Sequence, residues 1–283
     1  MYRTNALVMA LLGTVLSTSV LAEGAYFLGQ PEYQDSRSQA LVTAMLEAHG
    51  GTQAWSDAEV LSFRFVTKVV GGGAPFYSIE KVALDAGATY IEWPWLQATT
   101  GWDGTTVWSK NWPMPIPPGF FTHLTTSFIT MPWLTQHDDA VLSYVGHETL
   151  PKSEDEMEVV RLTFDAPGPH VPGNYYELFI DPERKLLRAV RFDITHPRMV
   201  ANPNQPIGPN IHVFEEYRSL AGLVVPTYYV THGTRQGQGS TAAVHMVFDM
   251  SLEGRLEPKQ TALPEGGVVD TATAQWWQGS SPD

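Results

Sequence analysis

The sequence contains no cysteine. That excludes a disulfide framework, thiolate metal sites and an anchor built on a lipidated N-terminal cysteine. An exported protein without disulfides suits a bacterial periplasm. Positive charge is also scarce, with 17 Lys and Arg against 30 Asp and Glu, a net −13. A chain this acidic is a poor partner for nucleic acid or for anionic membranes. Long apolar runs are missing beyond the first 22 residues. There Arg3 precedes the run "ALVMALLGTVLSTSV", and Val20 and Ala22 stand where a signal peptidase needs small side chains. The run is short for a membrane span and broken by Gly, Thr and Ser, so residues 1–22 are expected to be a cleavable secretory signal rather than a stable membrane anchor. Removing Arg3 with them leaves 16 basic against 30 acidic residues over 261 positions.

Catalytic signatures are lacking too. There is no Gly-x-Ser-x-Gly, no His-Glu-x-x-His and no phosphate loop. Ser78 and Lys81 in "SIEK" match a Ser-x-x-Lys spacing, but the stretch reads as strand and has no companion motif. His137 to Asp139, "HDD", are contiguous loop residues that converge poorly on a cation. No cofactor and no metal site is expected.

What is present is mostly β pattern. One helix is predicted over Ser36–His49, with Ser36 and Gln39 as a capping box, Leu41, Val42, Met45 and Leu46 as its apolar face, and Gly50 as its stop. His49 is expected near that helix C-terminus for its dipole. From Val60 to Leu252, about eleven short β-branched and aromatic runs follow one another, divided by Gly, Pro and Asp turns. A sequential antiparallel sheet of that length must curl. The expected fold is therefore mainly β: a single curved antiparallel sheet, a half-barrel, with the N-terminal helix against its concave face. Residues 23–252 form this domain, and 253–283 a loosely packed tail pinned by Trp276 and Trp277.

The segment "WPWLQATTGWDGTTVWSKNW", residues 93–112, holds five of the nine tryptophans. It reads as core, as a sugar platform or as the wall of an apolar cavity. Asp103-Gly104 is a strong hairpin signal. A two-residue turn there would set Trp95 opposite Trp112, with Trp93 and Trp108 on the same face and Trp102 on the other. The next segment, "PMPIPPGFFTHLTTSFITMPWL", turns from proline-rich to helical with Phe120, Leu124, Phe128 and Met131 on one stripe, as a short lid over the sheet would.

Together with "AHGGTQAW", "GWDGTTVW", "TMPWL", "YYELFIDPERKLLRAVRFDIT" and "GLVVPTYY", the chain resembles the lipoprotein-carrier (LolA/LolB-like) superfamily over most of residues 36–252. Members of the outer-membrane lipoprotein-sorting type are periplasmic half-barrels. The resemblance implies a curved sheet closed by helices over an apolar cavity for acyl chains, and binding and transfer without catalysis. The ligand would be a lipid or an acylated molecule, and transient contact with envelope proteins is compatible with that role. The cavity, several hundred Å3 in the usual range of ligand pockets, would be walled by Trp93, Trp95, Trp108, Val190, Phe192, Met246 and Phe248, with Phe120, Phe121, Leu124 and Phe128 over its mouth. Two other readings stand beside this one: a hydrolase using the same cavity, which needs a His or carboxylate beside a nucleophile inside, and a structural interaction module with a solid interior.

Overall fold

The computed structural model describes residues 28–85, 87–165, 175–195, 207–233 and 240–271, and at 123, 124 and 207 the backbone alone. The signal region and Trp276 and Trp277 lie outside the described residues.

The chain opens with β1 (Glu32–Tyr33), α1 (Ser36–Ala48) and α2 (Gly51–Ser56). Five strands follow: β2 (Val60–Val69), β3 (Phe76–Ala83), β4 (Thr89–Trp93), β5 (Ala98–Trp102) and β6 (Val107–Lys110). A long helix, α3 (Pro118–Leu134), separates these from β7 (Ala140–Thr149), β8 (Glu156–Phe164), β9 (Tyr176–Ile180), β10 (Leu187–Ile194), β11 (Ile207–Leu220), β12 (Leu223–Gly233) and β13 (Ser240–Glu253). A one-turn helix, α4 (Pro258–Thr261), and β14 (Val268–Val269) complete it.

All fourteen strands join one open, curved sheet in the order β1-β7-β8-β9-β10-β11-β12-β13-β2-β3-β4-β5-β6-β14. Every pairing is antiparallel except the short β1–β7 contact. The eleven expected strands are present. The stretch after Ala88 divides into β4 and β5, because Pro94 starts a 3-10 turn and Gln97 is left-handed, and the edges gain β1 and β14.

The strand order dictates where α3 goes. β6 stands near one edge of the sheet and β7 near the other, while β13 returns to pair with β2 in the middle. The one connection that must cross the whole sheet is the segment between β6 and β7. At about 1.5 Å per residue, the 17 residues of α3 span about 25 Å, and the helix lies across the concave face. Beyond its first turn, where Phe120 and Phe121 are half-buried, its described side chains are buried, with Phe128, Ile129, Met131, Trp133 and Leu134 at 0–2% exposure. The helix is therefore a central element of the core rather than a short superficial lid.

α1 is capped by Asp35, whose carboxylate accepts from the Ser38 N–H at 2.7 Å and from Tyr144 N–H at 2.8 Å. The expected Ser36 box is displaced by one residue, because Asp35 can cap the helix and tie it to β7 at once. Leu41, Val42, Met45 and Leu46 enter the main core as expected. Gly50 is left-handed, and a Cβ there would meet the Gly222 carbonyl at 2.2 Å, so only glycine lets α2 turn in against the β11–β12 hairpin. His49 is a structural bridge and not a charged end-cap. Its Nδ1 lies 2.6 Å from the Val224 carbonyl and its Nε2 accepts from Leu187 N–H at 3.0 Å. Burial pushes it down to about 4, so the ring is neutral.

Candidate functional site

Residues directly opposite each other in an antiparallel pair share a face, so the register reads out the concave lining. Across β3 to β6 it carries Ser78, Glu80, Val82, Thr89, Ile91, Trp93, Ala98, Thr100, Trp102, Val107 and Ser109. Across β2 and β10 to β13 it carries Phe63, Phe65, Val247, His245, Tyr229, Thr231, His212, Phe214, Val190 and Phe192.

The structure brings several of the expected site residues together under α3. Phe128 sits with its ring centroid 4.7 Å from Phe192 and 4.1 Å from His212, and Val190, fully buried, is the strand neighbour of His212. Phe121 packs edge-on against Trp93 at 5.5 Å and Trp112 at 5.9 Å, with Phe120 beside it at 5.6 Å. The side chain of Leu124 is outside the described set.

Other placements correct the sequence reading. The Asp103-Gly104 turn is a four-residue loop, closed by the Asp103 carboxylate accepting from Thr105 N–H at 2.9 Å and Thr106 N–H at 2.7 Å. Gly101 therefore stands opposite Trp108, and Trp102 opposite Val107. Trp93 pairs with Ala98 and shares the concave face with Trp102, while Trp108 lies on the convex face. There its ring covers Gly101, where a Cβ would come within 2.4 Å, and its N–H donates to the Thr261 carbonyl of α4 at 2.7 Å. Trp95 belongs to the 3-10 turn. It is 52% exposed at the rim, edge-on to Phe76 at 5.8 Å, and not opposite Trp112. Met246 and Phe248 alternate outward, opposite Val66 and Arg64. β13 was expected to bury its most apolar face, but the inward position belongs to His245, which the interior holds by hydrogen bonds.

Those bonds form a polar seam that sequence reasoning missed. Thr67 Oγ1 lies 2.9 Å from His245 Nδ1, His245 Nε2 lies 2.7 Å from Thr231 Oγ1, and Thr231 Oγ1 lies 2.8 Å from His212 Nδ1. Tyr229 stacks on His245 at 4.4 Å. On β3, Ser78 Oγ donates to Glu80 Oε1 at 2.6 Å in the fully buried interior. Lys81, its Ser-x-x-Lys companion, points to the convex face and pairs with Glu253 at 2.6 Å. Polar groups thus do converge inside, where the carrier reading expects none. A hydroxyl between two imidazoles resembles an activated nucleophile, but the electrostatics oppose that role. Burial pushes His245 down to about 3 and His212 well below its ordinary range, so neither ring can hold a proton taken from Thr231. Burial also pushes the Glu80 carboxyl up to about 8. At neutral pH the seam is uncharged: it can hydrogen-bond, and it is a weak base. Among the described residues no group of three or more His, Asp or Glu is placed to hold a metal ion.

A shallower groove of about 440 Å3 crosses the convex face beside Thr149, Lys152, Arg191, Asn210 and His232. Its central cation is already engaged, Arg191 pairing with Glu177 at 2.8 Å and with Glu148.

No protein-family model and no curated protein matches the sequence. Among solved structures, the fold is similar to that of a LolA superfamily protein from Nitrosomonas europaea, with a TM-score of 0.52 at 9% identity over 80% of this chain and 97% of that one. A DUF1329 family protein from Desulfovibrio piger matches with a TM-score of 0.49 at 10% identity, over 78% of this chain and 95% of that one. A domain described as an outer membrane lipoprotein-sorting protein, from Vibrio parahaemolyticus, matches at 0.43 and 9% identity, over 77% and 96%. At these identities the likeness is one of fold alone, a curved sheet like that of the LolA superfamily protein.

Proposed function

We propose that the protein is a non-catalytic carrier or sensor of the cell envelope that takes up the apolar part of a lipid-like ligand on its concave face, α3 moving aside to admit it. One observation carries the reading. α3 fills the concavity with Phe121 and Phe128, yet the hydroxyls along its middle bond within the helix. Thr126 donates to the Thr122 carbonyl at 3.1 Å and Thr130 to the Thr126 carbonyl at 2.8 Å. Packing holds the stretch around Phe128 to the sheet, and the polar ties of the helix lie towards its ends, Thr122 to Thr100 at 3.4 Å and the Trp133 N–H to the Gly51 carbonyl at 3.0 Å, so an acyl chain can replace Phe128 against Phe192 and Val190 without orphaning a hydrogen bond at that position. The carrier-type fold supports the same reading. Among the described residues no helix is long and apolar enough to cross a membrane.

The absence of cysteine makes a direct test available. Thr122 Oγ1 of α3 lies 3.4 Å from Thr100 Oγ1 of β5, close enough for a disulfide in the double variant Thr100→Cys, Thr122→Cys. Wild-type protein should take up the apolar fluorophore N-phenyl-1-naphthylamine, the oxidised variant should not, and reductant should restore uptake. Equal uptake by the locked and reduced forms, or none by wild type, would sink the proposal.

A further inference from the structure

Resting on that reading, the inference names the chemistry of the ligand's polar end. Glu80 is at 0% exposure near the middle of the sheet. Its Oε1 is satisfied by Ser78, but its Oε2 has no hydrogen-bond partner. Thr89, on the same face of the neighbouring strand, is at 1% exposure and its Oγ1 likewise has none. The pairings Glu80–Ile91 and Val82–Thr89 make the two residues diagonal neighbours on the concave face, within about 7–8 Å of each other. An orphaned buried carboxyl is expensive.

We propose that Glu80 and Thr89 receive the head of an amphiphile whose polar end is an uncharged hydroxyl: a long-chain alcohol or an acylglycerol. The two vacant partners match what a hydroxyl offers, one donor and one acceptor. With Ser78 donating to Oε1, the neutral acid presents its O–H at Oε2, and the ligand oxygen accepts from it while donating to Thr89. With the carboxyl ionised, the ligand donates to Oε2 instead. A carboxylate or phosphate head fits worse, because the lysines and arginines of β2 to β6, namely Arg64, Lys68, Lys81 and Lys110, all alternate onto the convex face, so among the described residues these strands offer no cation to the interior. An ammonium head would need three acceptors and finds two. The other titratable groups of the lining agree: Tyr229 is close enough to Glu80 for its phenol to be pushed up by burial and by that carboxylate, and burial keeps His212 and His245 neutral.

The test is displacement of bound N-phenyl-1-naphthylamine at pH 7 by dodecanol, dodecanoate and dodecylammonium. Wild type should prefer dodecanol about tenfold, the equivalent of one hydrogen bond of about 1.4 kcal/mol. Glu80→Leu should lose that preference while still binding the fluorophore, and Glu80→Gln, whose amide also donates and accepts, should retain it. Glu80→Gln keeps the acceptor for Ser78, whereas Glu80→Leu removes it, so cooperative melting of each variant is confirmed before its binding is read. Equal competition by the three amphiphiles, a preference for either charged one, or an unchanged preference in Glu80→Leu would overturn the hydroxyl assignment and leave the carrier reading intact. Failure of wild type to bind the fluorophore or any of the amphiphiles would overturn both.

Discussion

Glu80 should write itself into the pH dependence of stability. Its carboxyl is held at about 8 in the fold against 4.5 in the open chain. Between those values the folded state keeps a proton that the unfolded state has lost, so stability falls as pH rises from 4.5 towards 8, by at most about 1.4 kcal/mol per pH unit. Denaturant titrations of wild type and Glu80→Gln should diverge across that window in favour of the variant and run parallel outside it; parallel curves throughout would mean that the carboxyl is not held neutral. The buried imidazoles act with the opposite sign. His49 at about 4 and His245 at about 3 are neutral in the fold, so their contribution is complete above 6.5 and is lost as pH drops through those values. In the Glu80→Gln background, unfolding free energy should therefore decrease steadily below pH 6.5. None of this is visible in "FYSIEKVA". Alternation makes Ser78 and Glu80 look like the wet side of the strand and Tyr77 and Ile79 the dry side, and the interior reverses that rule because it is itself polar.

Among the elements, α3 carries the clearest expectations. Phe128→Ala should cost about 3–5 kcal/mol, as a deleted core aromatic does, read from the denaturation midpoint. Because the ring occupies ground that an acyl chain would take, the variant should at the same time bind N-phenyl-1-naphthylamine more tightly than wild type; weaker binding by a variant that still unfolds cooperatively would speak against displacement of this ring. On β5, Gly101→Ala should cost about 1–3 kcal/mol by overpacking against Trp108, whereas a change on the solvent side of the same hairpin should be near neutral. The elements themselves were legible from local chemistry, since Gly, Pro and Asp punctuate each hairpin and the β-branched runs between them fall where the strands are. Faces were harder. Trp93 and Trp108 were separated by a detail that no periodicity reports, a proline that folds one apparent strand into two; the wider turn at Asp103 shifts the pairing by two residues and leaves the faces of that hairpin unchanged. Met246 and Phe248 were misplaced because hydrophobicity alone was asked to choose the inner side of β13. The stripe through Phe120, Leu124, Phe128 and Met131 was readable because a helix sunk in the core still carries its large apolar residues at helical spacing.

At the scale of the whole molecule, the conspicuous feature is the meeting of β2 and β13, where Val60 is paired with Glu253 and Ala243 with Val69. These are the first and last long strands, and they lie side by side in the middle of the sheet. Until residues 240–253 are in place, β2 and β12 are open edges with unmet backbone donors and acceptors. A chain shortened at residue 239 should therefore fail to give a cooperative thermal transition and should aggregate; cooperative melting of that fragment would contradict this account. The consequence reaches into time as well as stability. Contacts this distant along the chain form late and slowly, so the sheet cannot be completed from its N-terminal end as the polypeptide emerges. The molecule must remain unfinished until nearly all of its length is available, and only then can its two halves close around α3 in a single event.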